Sequence, residues 1–199
     1  MFAFILQAVG LFIVTNIDDI IVLALFFARG AGRPGTTARI IAGQYLGFGA
    51  ILVASIVIAV GANSFLPESI IPYFGLIPLA LGLRAAWKGW RGEDVDDDDE
   101  ELITGKPISV TSVAAVTFAN GGDNVGVYVP VFVTVGASGI VAYSGIFLLL
   151  IAALVLAARF VATRKYIAVT LERWENVLFP IVLIGLGVFI LVEGGAFGI

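Results

Sequence analysis

The sequence predicts an all-α polytopic membrane protein, with six transmembrane helices arranged as two inverted three-helix repeats. Three observations carry that expectation. Of 199 residues, 60% are hydrophobic and 13% are charged, and the mean hydropathy is +1.07. A soluble domain carries about a quarter charged residues, so this chain cannot cover itself with polar surface in water. Apolar stretches close to the length of a spanning helix, about 20 residues, recur six times. All eleven Lys and Arg fall in alternate connections between those stretches, the asymmetry expected of a multi-pass chain.

The first stretch runs from about Phe2 to Ala28 and is interrupted by Asn16-Ile17-Asp18-Asp19. It opens without a basic n-region or a small-residue cleavage site, so it reads as a membrane helix and not as a removable signal peptide. The second, Thr36 to Ala62, has no charge after Arg39. The third, Ser69 to Trp90, is apolar until Arg84, which can snorkel with Lys88 to an interface. The fourth, Ser109 to Val135, is interrupted by Asn120-Gly121-Gly122-Asp123-Asn124. The turn Gly136-Ala137-Ser138-Gly139 separates it from the fifth, about Gly139 to Val161, and the sixth is Val177 to Val192.

The basic residues orient the chain. Arg29, Arg33 and Arg39 surround the first connection. Arg84, Lys88, Arg91 and Lys106 surround the third, and Arg159, Arg164, Lys165 and Arg173 the fifth. Connections one, three and five are therefore expected in the cytoplasm and both termini outside. The third connection also holds Glu93, Asp94, Asp96, Asp97, Asp98, Asp99, Glu100 and Glu101. Such a run reads first as a solvated linker, with a cation-attracting funnel as the sharper alternative.

Residues 1–90 form the first expected repeat, 91–108 the acidic cytoplasmic linker and 109–199 the second repeat. Thr15-Asn16-Ile17-Asp18-Asp19 and Ala119-Asn120-Gly121-Gly122-Asp123 share Asn-x-x-Asp near the middle of the first helix of each set. The third helices share a proline followed by a glycine, Pro78 with Gly82 and Pro180 with Gly185. An odd number of spans per half turns the second half upside down, a common transporter plan.

With no cysteine and no histidine, thiolate or imidazole metal sites and catalytic triads are excluded. Asp18, Asp19 and Asp123 are expected inside the membrane. An unpaired acid there costs about 2.5–3.5 kcal/mol on insertion scales. The nearest cation in sequence to the first two, Arg29, lies about 15 Å along a helix. A bound proton or a bound cation is then needed for neutrality. Asn16 with Asp19, Thr15 with Asp18 and Asn120 with Asp123 are i,i+3 neighbours on an intact helix. Gly121-Gly122 makes unwinding of the fourth helix plausible, which would add backbone carbonyls to the ligand set. The candidate metal site is therefore Asp18, Asp19, Asp123, Asn16, Asn120 and Asn124, with Asp19 and Asp123 at its core. Asparagine alone serves often as polar glue between helices; three acids without a base do not fit that role. Gln44 and Tyr45 either line the path or bond across helices, Tyr128 either gates or only packs, and Glu193 reads as an interface residue.

The same stretches, with Gly43-Gln44-Tyr45-Leu46-Gly47, Gly75-Leu76-Ile77-Pro78, Val125-Gly126-Val127-Tyr128 and the helix from Pro180 to Glu193, resemble the cadmium resistance transporter family, a branch of the lysine-exporter superfamily. The resemblance implies a six-helix exporter of Cd²⁺ in the bacterial cytoplasmic membrane, with Asp18, Asp19 and Asp123 as ion-binding acids. No resident cofactor is expected. The expected partners are the lipid bilayer, the transported divalent cation and a proton as counter-ion, with a homodimer also open and no nucleic acid. Cd²⁺ prefers thiolate, whereas this donor set is oxygen, which suits Mn²⁺ or Ca²⁺ as well and releases its ion more readily. Export of Mn²⁺, Ca²⁺ or an amino acid, a channel, and an intramembrane aspartyl protease built on Asp123 with Asp18 or Asp19 remain as alternatives.

Overall fold

The structure is a computed structural model. It describes residues 2–91 and 108–196, and within these the side chains of Phe2, Glu68 and residues 165–176 lie outside the description. The acidic run from Glu93 to Glu101 and Lys106 likewise lie outside the described residues. Every regular element among the described residues is helical. In chain order they are α1 (Phe2–Thr15), α2 (Ile17–Arg29), α3 (Thr36–Phe65), a 3₁₀ segment (Glu68–Gly75), α4 (Leu76–Arg91), α5 (Val110–Asn120), α6 (Gly122–Val161) and α7 (Lys165–Glu193).

Among the described residues, three helical stretches are long and apolar enough to cross a membrane: Thr36–Phe65, Ser69–Lys88 and Gly122–Val161. A fourth is added if α1 and α2, bent by 53° at Asn16, are one broken span. α5 is a shorter apolar helix, as is the Val177–Glu193 part of α7.

The 40 residues of α6 would make a rod of about 60 Å, twice the thickness of a hydrocarbon core. They do not form one. Gly136 has φ 67° and ψ 178°, a conformation that a residue with a Cβ resists. A straight helix would hold Tyr128 and Phe147 about 28 Å apart, yet their ring centroids are 5.0 Å apart. Phe132 and Tyr143 meet likewise at 6.3 Å. The chain therefore turns back at Gly136 into two arms, 122–135 and 137–161, as the Gly136–Gly139 turn predicts.

Aromatic rings fill the space between these arms, α1 and α3. Phe12 stands 5.6 Å from Phe48, and Phe4 stands 4.7 Å from Tyr143. Edge-to-face pairs of this kind add about 0.5–1.5 kcal/mol each beyond the area they bury. On another side of the bundle α4 and α7 touch backbone to backbone. A Cβ on Gly187 would come within 2.6 Å of the Leu79 nitrogen, and one on Gly82 within 2.8 Å of the Ile184 nitrogen. Gly187 makes this contact; Gly185, the glycine singled out from sequence, faces open space.

Two boundaries differ from expectation. The third stretch begins as a 3₁₀ turn because Pro72 lies within it and has no N–H for an α-helical ladder. α7 starts at Lys165, ahead of Val177, because a charged turn can be helical without being apolar, and apolar length alone finds only the later part. Pro130 and Pro180 sit inside α6 and α7 without ending them, as membrane helices tolerate.

Candidate functional site

The site begins where α1 stops. Asn16 leaves the helix with φ −130° and ψ 21°, and its side chain explains the break. Its Nδ2 donates to the Phe12 carbonyl at 2.8 Å, to Thr15 Oγ1 at 2.9 Å and to the Tyr128 hydroxyl at 3.0 Å. Thr15 gives its own proton to the Leu11 carbonyl at 2.9 Å, so Tyr128 is the donor in the 2.9 Å contact between the two hydroxyls. A carbonyl only accepts, so the Phe12 bond fixes which way the Asn16 amide points. Asn16 Oδ1 is left as a buried acceptor with no hydrogen-bond partner in the structure described.

α2 starts at Ile17, which puts Asp18 and Asp19 in its first turn. Helix N-termini favour negative charge through their free N–H groups and dipole. Asp19 is buried, at 2% exposure, and Asp18 is half-buried. Asn120, the last residue of α5, bridges them from the other half of the chain. Its Nδ2 donates to Asp18 Oδ2 and to Asp19 Oδ1, both at 2.8 Å. Gln44 on α3 donates from Nε2 to Asp19 Oδ2 at 2.9 Å, and its Oε1 accepts from the Thr117 hydroxyl at 2.6 Å. Thr117 and Asn120 are i,i+3 on α5 and so share a face.

Close helix packing aims Gln44. A Cβ on Gly43 would lie 2.8 Å from the Val110 carbonyl, and one on Gly47 2.7 Å from the Ala114 carbonyl. With no side chains between them, α3 and α5 approach at backbone distance, the small-xxx-small mode of membrane helices. Gln44, between the two glycines, is held fully buried against Thr117 and Asp19.

Of the six expected site residues, Asp18, Asp19 and Asn120 come together. Asn16 stands two residues before Asp18, in the Tyr128 brace. Asp123 is exposed in the first turn of α6, and neither it nor buried Asn124 joins the hydrogen bonds of the cluster. Among the described residues no three Asp or Glu side chains converge as a metal-holding group. The i,i+3 pairs expected of Thr15 with Asp18, Asn16 with Asp19 and Asn120 with Asp123 do not form. A helix break, at Asn16 or at Gly121, lies inside each of those spacings. Gln44 is more deeply involved than sequence reading suggested, and its signal is the pair of glycines around it. Thr117 carries no signal that sets it apart from other membrane threonines. Tyr128 is structural, holding the first break.

Chemically, the cluster is two adjacent carboxylates capped by amide N–H groups, with an amide oxygen and a hydroxyl behind them. It offers oxygen donors to a cation and amide donors to the carboxylates when no cation is between them.

No curated protein and no solved structure matches the chain, so kinship rests on the family comparison. The model described as cadmium resistance transporter matches residues 12–199, a span that takes in both helix breaks, Gln44, Thr117 and the acids. The chain therefore belongs to the cadmium resistance transporter family, a family of membrane transporters.

Proposed function

We propose that this chain exports a divalent cation, Cd²⁺ foremost, across the bacterial cytoplasmic membrane by alternating access. The observation that carries this reading is Asn120, whose amide reaches from one half of the chain to both acids of the other at 2.8 Å. A cation between Asp18 and Asp19 would displace those N–H groups. Turning the amide over would present Oδ1 in their place, so occupancy of the site and the position of α5 are linked. Asn16 Oδ1, buried without a partner, is a further oxygen for the ion. Asp123 and Asn124 complete the site when the second half closes on it. Protonation of the acids offsets their charge on the return step, giving proton antiport.

The architecture proposed is six spans in two inverted halves, 1–90 and 109–199. Several features support it. Each half has a helix broken near its middle with an acid in the next turn, Asp18 and Asp19 in α2 and Asp123 in α6. The reversal at Gly136 splits α6 into two passes, and the last helix of each half, α4 and α7, packs on the other. Arg33 and Arg159 line one cavity, which fits connections one and five lying together in the cytoplasm, with both termini outside.

The family is one of transporters, and transport rather than catalysis is the activity proposed. The oxygen-only donor set equally suits Mn²⁺ or Ca²⁺. Flux into proteoliposomes with Cd²⁺, Zn²⁺, Mn²⁺, Ca²⁺ and lysine, under an imposed pH gradient, tests both cargo and coupling. Cd²⁺ movement that responds to the gradient and stops in Asp19→Asn is expected. Lysine movement without metal movement would overturn the proposal.

A further inference from the structure

At the end of the bundle away from the carboxylates, a cavity of about 460 Å³ opens between the first connection and the end of α6. Its polar lining is Arg33, Thr36 and Thr37 from the first connection and the start of α3, with Arg159 and Thr163 from the end of α6. We propose that it binds a phosphate group, in the form of an anionic phospholipid headgroup or of free phosphate.

Four observations converge there. The two guanidiniums come from segments far apart in sequence, and neither has an ion pair within the described residues. Arginine forks match phosphate oxygens two at a time. The first turn of α3 lines the same cavity, and no side chain caps it; its N-cap is Gly35, at φ 76°. The Thr36 N–H reaches the Arg33 carbonyl at 3.5 Å, and the N–H groups that follow it, with the dipole of a 30-residue helix, attract an anion. Thr36 is only 5% exposed, and its hydroxyl, which has no hydrogen-bond partner among the described residues, is free to donate to a phosphate oxygen in the cavity it lines. Finally, Phe27, Ala28 and Ala162 make the remaining wall apolar, so a glycerol backbone can lie beside a bound phosphate. Basic pockets between membrane helices of this composition suit anionic headgroups. A phosphate held by Arg33 and Arg159 together would tie the loop after α2 to the end of α6.

The test uses the intact chain purified in a neutral detergent, with the thermal unfolding midpoint followed against ligand concentration. The probes are dihexanoyl phosphatidylglycerol, dihexanoyl phosphatidylcholine, inorganic phosphate and sodium chloride at matched ionic strength. The expected result is a saturable rise with phosphatidylglycerol that exceeds the salt control. Its half-saturating concentration should increase roughly tenfold in Arg33→Gln and in Arg159→Gln, each losing a charge-assisted contact. Arg39→Gln, which removes the same charge from a residue outside the cavity, should leave it unchanged. Arg159→Lys keeps the charge but not the fork, and should shift half-saturation in the same direction by less; it serves where the Gln variant does not fold. A rise of equal size with inorganic phosphate, weakened by the same variants, assigns the site to the free anion. A rise with phosphatidylcholine alone, a rise indifferent to Arg33 and Arg159, or no rise beyond salt with either phosphatidylglycerol or inorganic phosphate overturns the proposal.

Discussion

The two helix breaks, at Asn16 and at Gly121, arise from similar sequences and are built differently. At Asn16 the break is made by a side chain: the amide folds back onto Phe12 and is held by Thr15 and Tyr128 in a fully buried brace. At Gly121 it coincides with the lack of a side chain, where a Cβ would run into Ile51. The acids that follow differ as well. Asp18 and Asp19 are engaged by amides from α3 and α5, whereas Asp123 stands exposed. The two Asn-x-x-Asp segments thus do unequal work. The second half contributes to the acids of the first through Asn120, before its break, rather than through Asp123, after it. Under the alternating-access cycle proposed above, one state of the carrier would show such inequality, with the two segments exchanging roles on turnover.

Substitutions can break or sharpen this contrast, and thermal unfolding in detergent reads them. Asp19→Leu should have the largest effect, about 2–4 kcal/mol of destabilisation, because it strands the Gln44 donor and one Asn120 N–H in a buried place. Gly47→Ala should cost about 1–3 kcal/mol, since a Cβ there meets backbone and Thr117 at 2.7 Å and can only be accommodated by parting α3 from α5. Tyr128→Phe should cost about 1–2 kcal/mol, because it removes both hydrogen bonds of that hydroxyl and interhelical hydrogen bonds in membranes average about 0.6 kcal/mol each. Asn16 keeps its bonds to Phe12 and Thr15 in that variant, so a larger loss would mean that Tyr128 does more than brace. Asp123→Asn should change stability by less than about 0.5 kcal/mol, as at exposed sites generally. A cost matching that of Asp19→Leu would erase the difference between the two breaks.

Much of this was legible in the residues. Apolar length marks α3, the stretch leading into α4 and both arms of α6. The interruption at Asn16 and the glycines at 121 and 122 mark the breaks, and Gly136 marks the reversal. Periodicity within one helix could not reveal how the acids are compensated. Asp19 is met by Gln44 and Asn120, which are 25 and 101 positions away. Amide N–H groups stand where a neutralising Lys or Arg would, and they supply hydrogen bonds to a carboxylate without carrying charge. The i,i+3 pairings failed for a related reason: they presume the continuous helix that Asn16 itself ends. Gly43 and Gly47 announced a close helix contact, and with it the burial of Gln44, but not the partner helix.

Cd²⁺ binding to the purified chain, measured by equilibrium dialysis for wild type, Asp19→Asn and Asn120→Ala, probes the cluster most directly. The wild type should bind the ion, and Asp19→Asn should weaken it at least about tenfold, a loss of about 1.4 kcal/mol or more. Asn120→Ala should also alter the affinity, because the amide both competes with the ion and can turn to receive it. Wild-type affinity in Asp19→Asn would contradict the assignment of the ion to these carboxylates.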